Sequence, residues 1–215
     1  KSKLIGLAYY NPSPSYLSAL LVSALKRCRD LGHHLVIEDL SDIEGDLDTS
    51  LIVKRLSSIR LNGLILAPPL SNNLTLLGLL KDMGIPVVAL SFLMFQGDFT
   101  FVSGLELASK MLDTASPPTA VFASNDDMAA GISAGAQRRG LKIPSELSIV
   151  GFDDTAIAAA IWPRLTTVRQ PIAEMAQNAV DIISEITSRT WNGEQLHVTI
   201  DAIEIVERES LTVPK

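Results

Sequence analysis

Short apolar runs alternate with amphipathic segments along most of the chain, and this alternation constrains the fold more than any other feature. Residues 4–8 form the first run, which has the length of a buried parallel strand. An amphipathic segment over residues 17–31 follows and ends at Gly32, as a helix does. Strands that alternate with helices of about 10–15 residues indicate βαβ units and a parallel sheet. The predicted fold class is therefore α/β.

The same unit recurs through the rest of the chain, with a break near residues 92–98 that separates two α/β lobes. Asn72 or Asn73 is expected to cap one helix of the first lobe. Further strands are predicted at residues 35–37, 64–67, 86–90, 119–123, 147–151 and 165–168, with one or two antiparallel strands within 197–206. Helices are predicted around residues 51–59, 103–114, 127–139 and 172–187.

Composition excludes several classes of protein. The 215 residues are 47% apolar and 20% charged, which is enough apolar material for a core and excludes a disordered or collagen-like chain. The net charge is −6, so the chain alone is expected to bind nucleic acid poorly. No apolar run approaches the roughly 20 residues that span a bilayer, so no membrane span is expected. No signal peptide is recognised ahead of the first strand, and the alternative is that one has been removed. The single cysteine, Cys28, lies on the apolar side of a predicted helix and is expected to be buried. A chain with only one cysteine also fits a reducing compartment.

Polar residues follow several predicted strands, where ligands bind in open α/β sheets. These side chains are neutral polar groups and carboxylates, which suit a polyhydroxylated neutral ligand. The candidates after the first and third strands are Ser13, Ser15, Tyr16 and Ser71, and those after two strands of the second half are Asn125, Asp126 and Asp153.

Simpler roles compete with ligand binding at these positions. Asn125 and Asp126 also suit helix capping, which is compatible with ligand contact, and Asp153 with Asp154 also suits a solvated turn. The aspartate spacing matches no calcium loop, so no metal is expected. The histidines (His33, His34 and His197) are assigned structural or solvated roles.

Signatures of catalysis and of cofactor binding are missing from the sequence. It contains no Gly-x-Gly-x-x-Gly, no Walker-type loop and no Gly-x-Ser-x-Gly elbow, and no histidine has an evident Ser or Cys partner. The chain is therefore predicted to be a binding module with no cofactor. A sugar-modifying α/β enzyme is the disfavoured alternative.

Three segments carry a family resemblance. They read Phe-Ala-Ser-Asn-Asp-Asp-Met-Ala from residue 122, Gly-Leu-Lys-Ile-Pro-Ser-Glu-Leu-Ser-Ile-Val-Gly-Phe-Asp-Asp-Thr from 140, and Pro-Arg-Leu-Thr-Thr-Val-Arg-Gln-Pro from 163. Residues 4–7, with the loop that follows, and residues 62–66 match as well. Together and in this order they resemble the effector-binding core of the LacI/GalR family of bacterial transcription repressors, over nearly the whole chain.

The resemblance implies a periplasmic-binding-protein-like fold of two Rossmann-like lobes with parallel sheets, linked by crossover strands. It places residues 1–91 in the N-terminal lobe and 97–162 in the C-terminal lobe, with 163–192 returning to the first and 193–215 to the second. A small effector between the lobes would shift a hinge equilibrium. A sugar or a derivative is the family default, and a nucleoside or another small metabolite is the alternative. Members are usually homodimers that pair through helices of both lobes, and the leucine-rich helices at residues 17–31 and 74–80 fit such an interface.

The family's functional roles transfer onto matching positions. Asn125 and Asp126 correspond to effector contacts on the second lobe, and Asp153 to a carboxylate that binds an effector hydroxyl. Ser13, Ser15 and Tyr16 correspond to the ligand loop of the first lobe, and Phe99 lies near the place where an aromatic side chain stacks on the ligand in some members. The implied protein is a cytoplasmic repressor with no membrane contact. The alternative is a periplasmic sugar-binding protein of a transporter.

Two departures from the family pattern stand out. The N-terminal helix-turn-helix headpiece is absent, so operator DNA binding would belong to a longer parent protein. A substantial family block is apparently missing between residues 91 and 97, and with it an arginine that usually contacts the effector. No arginine occurs between Arg60 and Arg138. The loss of an inner strand would expose unpaired backbone, so we expect that chain is missing here. A genuine deletion is the alternative, and the mass of the intact protein would decide.

Overall fold

The structure, a computed structural model, describes residues 2–10, 13–43, 48–90, 99–188, 200 and 202–212. The chain folds into two compact units. Unit 1 comprises Lys1–Pro12, Ser18–Leu93 and Ile172–Thr199, and unit 2 comprises Ser13–Leu17, Met94–Pro171 and Ile200–Lys215. Each unit contains one sheet with helices, and the predicted α/β class is confirmed.

Unit 1 contains a four-stranded parallel sheet in the order β2-β1-β3-β4. Its strands are β1 (Leu4–Tyr9), β2 (His34–Asp39), β3 (Gly63–Leu66) and β4 (Val87–Ala89). The helices are α1 (Pro14–Asp30), whose first residues are grouped with unit 2, and α2 (Thr49–Ser57), α3 (Leu74–Asp82) and α7 (Ile172–Ile186). Asn73 caps α3 through its side chain, as expected.

Unit 2 contains a mixed sheet in the order β5-β6-β7-β8. The first three strands are parallel, and β8 runs antiparallel to β7. Its elements are α4 (Phe101–Leu112), β5 (Ala120–Phe122), α5 (Asp126–Arg138), β6 (Ser148–Asp153), α6 (Ala156–Ala160), β7 (Thr166–Arg169) and β8 (Glu204–Val206). The carboxyl ends of β5, β6 and β7 therefore meet at one edge of this sheet, which is where the candidate residues of this unit cluster.

The predicted strands and helices lie within a few residues of the observed ones, with some differences. Neither α6 nor the 3-10 helix Leu70–Asn72 is predicted from the sequence. Residues 163–192 are expected in the first lobe, whereas β7 pairs with β6 and belongs to unit 2, which continues through Pro171. Residues 197–199 of the predicted terminal strands, and the junction at 91–98 where a family block is apparently missing, lie outside the described residues.

Each unit has its own apolar core. In unit 1, side chains from β3, α2 and α3 such as Leu64, Ile52 and Leu76 are fully buried. In unit 2, α4 and α5 approach so closely that a Cβ on Gly131 would collide with the backbone carbonyl of Phe101. This close packing fixes the start of α5, where two of the candidate site residues lie.

Two sequence expectations, on membrane-spanning helices and on the burial of Cys28, can be compared with the structure. In the part of the chain that the structure describes, no helix combines the length and apolar character needed to cross a membrane. Cys28 is fully buried on α1, and burial raises the pKa of its thiol to about 11. It therefore serves as a small apolar side chain, as the sequence predicts.

Candidate ligand site

Asp126, the first residue of α5, is a buried hub of hydrogen bonds in unit 2. Its Oδ2 accepts from the Thr155 backbone N–H at 2.7 Å and from the Thr155 hydroxyl at 3.0 Å, and its Oδ1 accepts from the Thr167 hydroxyl at 2.6 Å. Burial raises the pKa of Asp126 to about 6, although these hydrogen bonds oppose the rise. Gly151 lies directly against this carboxylate, and a Cβ there would collide with Oδ1. Asp126 thus ties α5 to β7 and to the turn after β6.

Asn125 is the N-cap of α5 and is 3% exposed. Its Oδ1 accepts from the Met128 backbone N–H at 2.8 Å, and its Nδ2 donates to the Phe99 carbonyl at 2.8 Å. The second bond anchors Phe99, a residue with a positive φ of 62°. The capping alternative is therefore confirmed for Asn125, and its contact with an effector stays a prediction.

Asp153 ends β6 and is 5% exposed, so it is not part of a solvated turn. Gln170 Nε2, just beyond β7, donates to its Oδ1. Burial raises the pKa of Asp153, the Gln170 bond opposes the rise, and the nearby charges of Asp126 and Asp127 add to it, so that the pKa is about 8. At neutral pH this carboxyl group is mostly protonated, so it can both donate and accept hydrogen bonds.

Tyr16 joins the same cluster from the start of α1. It is 3% exposed, and burial together with the charge of Asp153 raises the pKa of its phenol well above the usual range. Its backbone N–H donates to the Ser13 hydroxyl at 3.3 Å, and Ser13 is buried while Ser15 is partly buried. These residues belong to the short segment that is grouped with unit 2.

The structure therefore brings most of the candidate residues into unit 2, but Ser71 lies in unit 1. Ser71 is buried in the 3-10 helix after β3, and its hydroxyl has no hydrogen-bond partner within the described part of the chain. The contact of Ser71 with an effector stays a prediction.

Three residues of the polar cluster were not among the predicted site residues: Thr155, Thr167 and Gln170. Gln170 follows a predicted strand, so its position beyond a strand end was the available signal. Thr167 and Thr155 bind Asp126 from 41 and 29 residues away in sequence, and no local pattern marks such a contact.

The remaining groups to place are possible metal ligands and the histidines. Among the described residues, no group of three or more His, Cys, Asp or Glu side chains is arranged to hold a metal ion. His33 Nε2 lies 3.0 Å from the Ser184 hydroxyl on α7, far along the chain from the cluster in unit 2. His34 is exposed, and His197 lies outside the described residues.

Comparison with known proteins identifies relatives of this arrangement. Residues 89–211 match the family described as "Periplasmic binding protein-like domain". Catabolite control protein A of Priestia megaterium is 37% identical over 110 residues, which are 51% of this chain and 32% of that protein. The HTH-type transcriptional repressor CytR of Escherichia coli K12 is 45% identical over 85 residues, 40% of this chain and 25% of that protein. The matched segments thus span about a third or less of these curated relatives.

Solved structures share the fold over the whole chain. A LacI family transcriptional regulator from Enterococcus faecalis V583 with bound ribose has a TM-score of 0.80 at 17% identity, covering 99% of this chain and 100% of that one. The lac repressor dimer bound to operator has a TM-score of 0.72 at 20% identity, covering 99% and 95%. At these identities the likeness establishes the fold alone.

Proposed function

Because the chain belongs to the periplasmic binding protein-like domain family, as an effector-binding core of the LacI/GalR type, we propose that it is the effector-sensing domain of a bacterial transcriptional repressor. The proposed effector is a small sugar or sugar derivative, whose binding controls operator DNA binding by a headpiece outside this chain. The matched curated relatives are named as regulators and repressors, and one structural neighbour carries ribose. These relationships support a repressor over a transporter's binding protein.

One observation carries the ligand proposal: Asp153, Tyr16 and Gln170 form a buried polar cluster at the carboxyl edge of the unit 2 sheet. Each of these groups both donates and accepts hydrogen bonds when Asp153 is protonated. A sugar hydroxyl has the same dual capacity, so a polyhydroxylated ligand matches the cluster group by group. Phe99, Ser13, Ser15 and Ser71 are proposed as further effector contacts.

Thermal shift and calorimetry on the intact chain test this proposal. The panel contains D-ribose, sucrose, cellobiose, cytidine and adenosine. A ligand present at 100 times its Kd should add about 2.7 kcal/mol to the free energy of unfolding. Asp153→Ala should weaken the binding of the responding ligand by about 1–3 kcal/mol, because ligand hydroxyls lose their partner. Asp113→Ala, on the far side of α4, is the matched control and should bind normally. Unchanged affinity in Asp153→Ala would refute the role of Asp153.

We further propose that the domain is a homodimer that pairs through α1 and α3. Both helices expose apolar side chains that one core face does not need: Leu74 is 82% exposed and Val22 is 64% exposed. Leu74→Asp should shift the species seen by light scattering from dimer to monomer, whereas Ile203→Asp, at an apolar residue as exposed as Val22 but outside the helices, should not. A wild-type monomer at micromolar concentration would contradict this interface.

The remaining proposals follow from the repressor assignment. We propose that the domain acts in the cytoplasm, and that it binds its effector without converting it, as the relatives' names as regulators suggest. NMR of a sugar recovered after long incubation with the protein should show it unchanged. Detected turnover would instead favour an enzyme.

A further inference from the structure

The turn that follows β6 has an unusual backbone. Asp153 has a φ of 104° and Asp154 a φ of 53°, although neither is a glycine. Such conformations are strained for residues other than glycine and persist only where the surroundings hold them. Because Asp153 is the central carboxyl of the candidate site, whatever holds this turn also sets the direction of that carboxyl.

Two arginines donate hydrogen bonds to Asp154, the second residue of the turn. Arg169 Nε donates to Asp154 Oδ2 at 2.7 Å, and Arg208 Nη2 donates to Asp154 Oδ1 at 2.5 Å. Burial alone would raise the pKa of Asp154, but hydrogen bonds from Arg208 and Arg169 lower it overall. The Asp154 side chain is only 9% exposed, so these charge-assisted hydrogen bonds are largely shielded from solvent.

The two arginines are themselves held in place. Arg208 Nη1 donates to the Leu165 carbonyl at 2.8 Å, just before β7, and Arg169 Nη1 donates to Glu204 Oε2 at 2.6 Å on β8. Arg169 is also the register partner of Asp153 in the β6–β7 ladder. The two arginines that bind Asp154 are therefore themselves fixed by residues of the sheet, unlike the partners of an isolated surface ion pair.

The end of β7 thus contacts both residues of the turn, since Arg169 binds Asp154 and the next residue, Gln170, binds Asp153. We propose that Arg169 and Arg208 are positioning residues, whose hold on Asp154 keeps the strained turn that presents the Asp153 carboxyl to the effector. The effector itself rests on the proposed function, but the position of Asp153 can be tested with no ligand present.

An NMR titration of the Asp153 side-chain carboxyl carbon in the full chain provides that test. Arg208→Met removes a nearby cation, and by charge alone this change would raise the pKa of Asp153 above about 8. If the turn relaxes and water reaches the carboxyl, the pKa falls instead, and we expect a fall of at least one unit. A rise, or no change, would overturn the proposal. Asp153→Asn identifies the resonance.

Three further variants separate positioning from general damage to the fold. Arg208→Lys keeps the cation and one donor, so it should restore most of the wild-type titration. Arg164→Met removes an arginine of unit 2 that pairs with Glu209 and not with Asp154, and should leave the titration unchanged. If circular dichroism shows that Arg208→Met is unfolded, Arg169→Met takes its place, because this side chain is 48% exposed. An unchanged Asp153 pKa in Arg169→Met would then overturn the proposal.

Calorimetry with D-ribose at pH 7 then connects the turn to binding. Arg208→Met should weaken ribose binding at least ten-fold, and Arg164→Met should bind as wild type does. A shifted Asp153 pKa with unchanged ribose affinity would overturn the link between the turn and the effector. If no protein binds ribose while the Asp153 pKa still falls in Arg208→Met, the positioning role stands and ribose fails as the effector.

Discussion

The buried carboxyl of Asp153 makes stability depend on pH in a way that a single isosteric substitution should remove. The pKa of this group is about 8 in the folded protein, against about 3.9 in an unfolded chain. Between these two values the folded state keeps a proton that the unfolded state releases. Raising the pH therefore favours unfolding, and the stability present below pH 4 is lost progressively as the pH rises towards 8.

The size of the effect follows from linkage. One proton held only by the folded state lowers the free energy of unfolding by about 1.4 kcal/mol for each pH unit. Asp153→Asn keeps the shape and an Oδ1 that accepts from Gln170, but it has no proton to release. The variant should therefore be more stable than wild type near neutral pH. Its advantage should grow by about 1.4 kcal/mol between pH 6 and pH 7.

Urea unfolding of the intact chain without ligand, at pH 5, 6, 7 and 8, measures this advantage. The matched control is Asp113→Asn, since Arg139 holds the pKa of the exposed Asp113 below its usual range. Asp113 is ionised in both states across this pH range, so its substitution should have a pH-independent effect. If the stability difference between Asp153→Asn and wild type is the same at pH 6 and pH 7, Asp153 is ionised in the folded protein and the argument fails.

Two further predictions concern the frame around the site, and urea unfolding at pH 7 tests both. Asp126→Ala removes three hydrogen bonds from Thr155 and Thr167, so it should lower the free energy of unfolding by about 3–5 kcal/mol. Asp126→Asn should lower it far less, because the amide keeps an oxygen that accepts hydrogen bonds. Equal losses in the two variants would contradict the stabilising role of these bonds. Gly131→Ala should destabilise the protein by about 1–3 kcal/mol, because the added Cβ meets the backbone of α4. Gly78→Ala in α3 should stabilise it by about 0.5–1 kcal/mol, because open space surrounds Gly78. A change of the same sign in both variants would contradict the close packing of α4 and α5.

The order of strands and helices could be predicted from the sequence because hydrophobic periodicity and Gly or Asn punctuation are local signals. Gly32 and Gly84 end helices with positive φ as expected, and Asn73 and Asn125 cap the helices that follow them. The helix α6 was not predicted because five residues rich in alanine carry no clear period. The 3-10 helix after β3 is a single turn and is too short to show one.

The chemistry of the site was only partly predictable, because the partners of each aspartate come from distant strands. Asp153 was singled out by its position after a strand, but its partner Gln170 lies 17 residues further on. Asp154 suited a solvated turn in sequence, yet Arg169 and Arg208 reach it from 15 and 54 residues away. The pairing of β6 with β7, and of β7 with β8, brings these charges together.

Asp126 and Asp153 are both buried, but their surroundings assign them different roles. Asp126 has three hydrogen bonds from the protein, so its burial is compensated and its removal should damage the fold. Asp153 accepts one bond from Gln170 and stands in a strained turn, so its burial is poorly compensated. A group whose neutral replacement stabilises the fold is present at the expense of stability, which is typical of functional sites. If Asp153→Asn unfolds less readily and also binds sugar more weakly, both results follow from one cause: a buried carboxyl that lowers stability is kept at the place where the ligand binds.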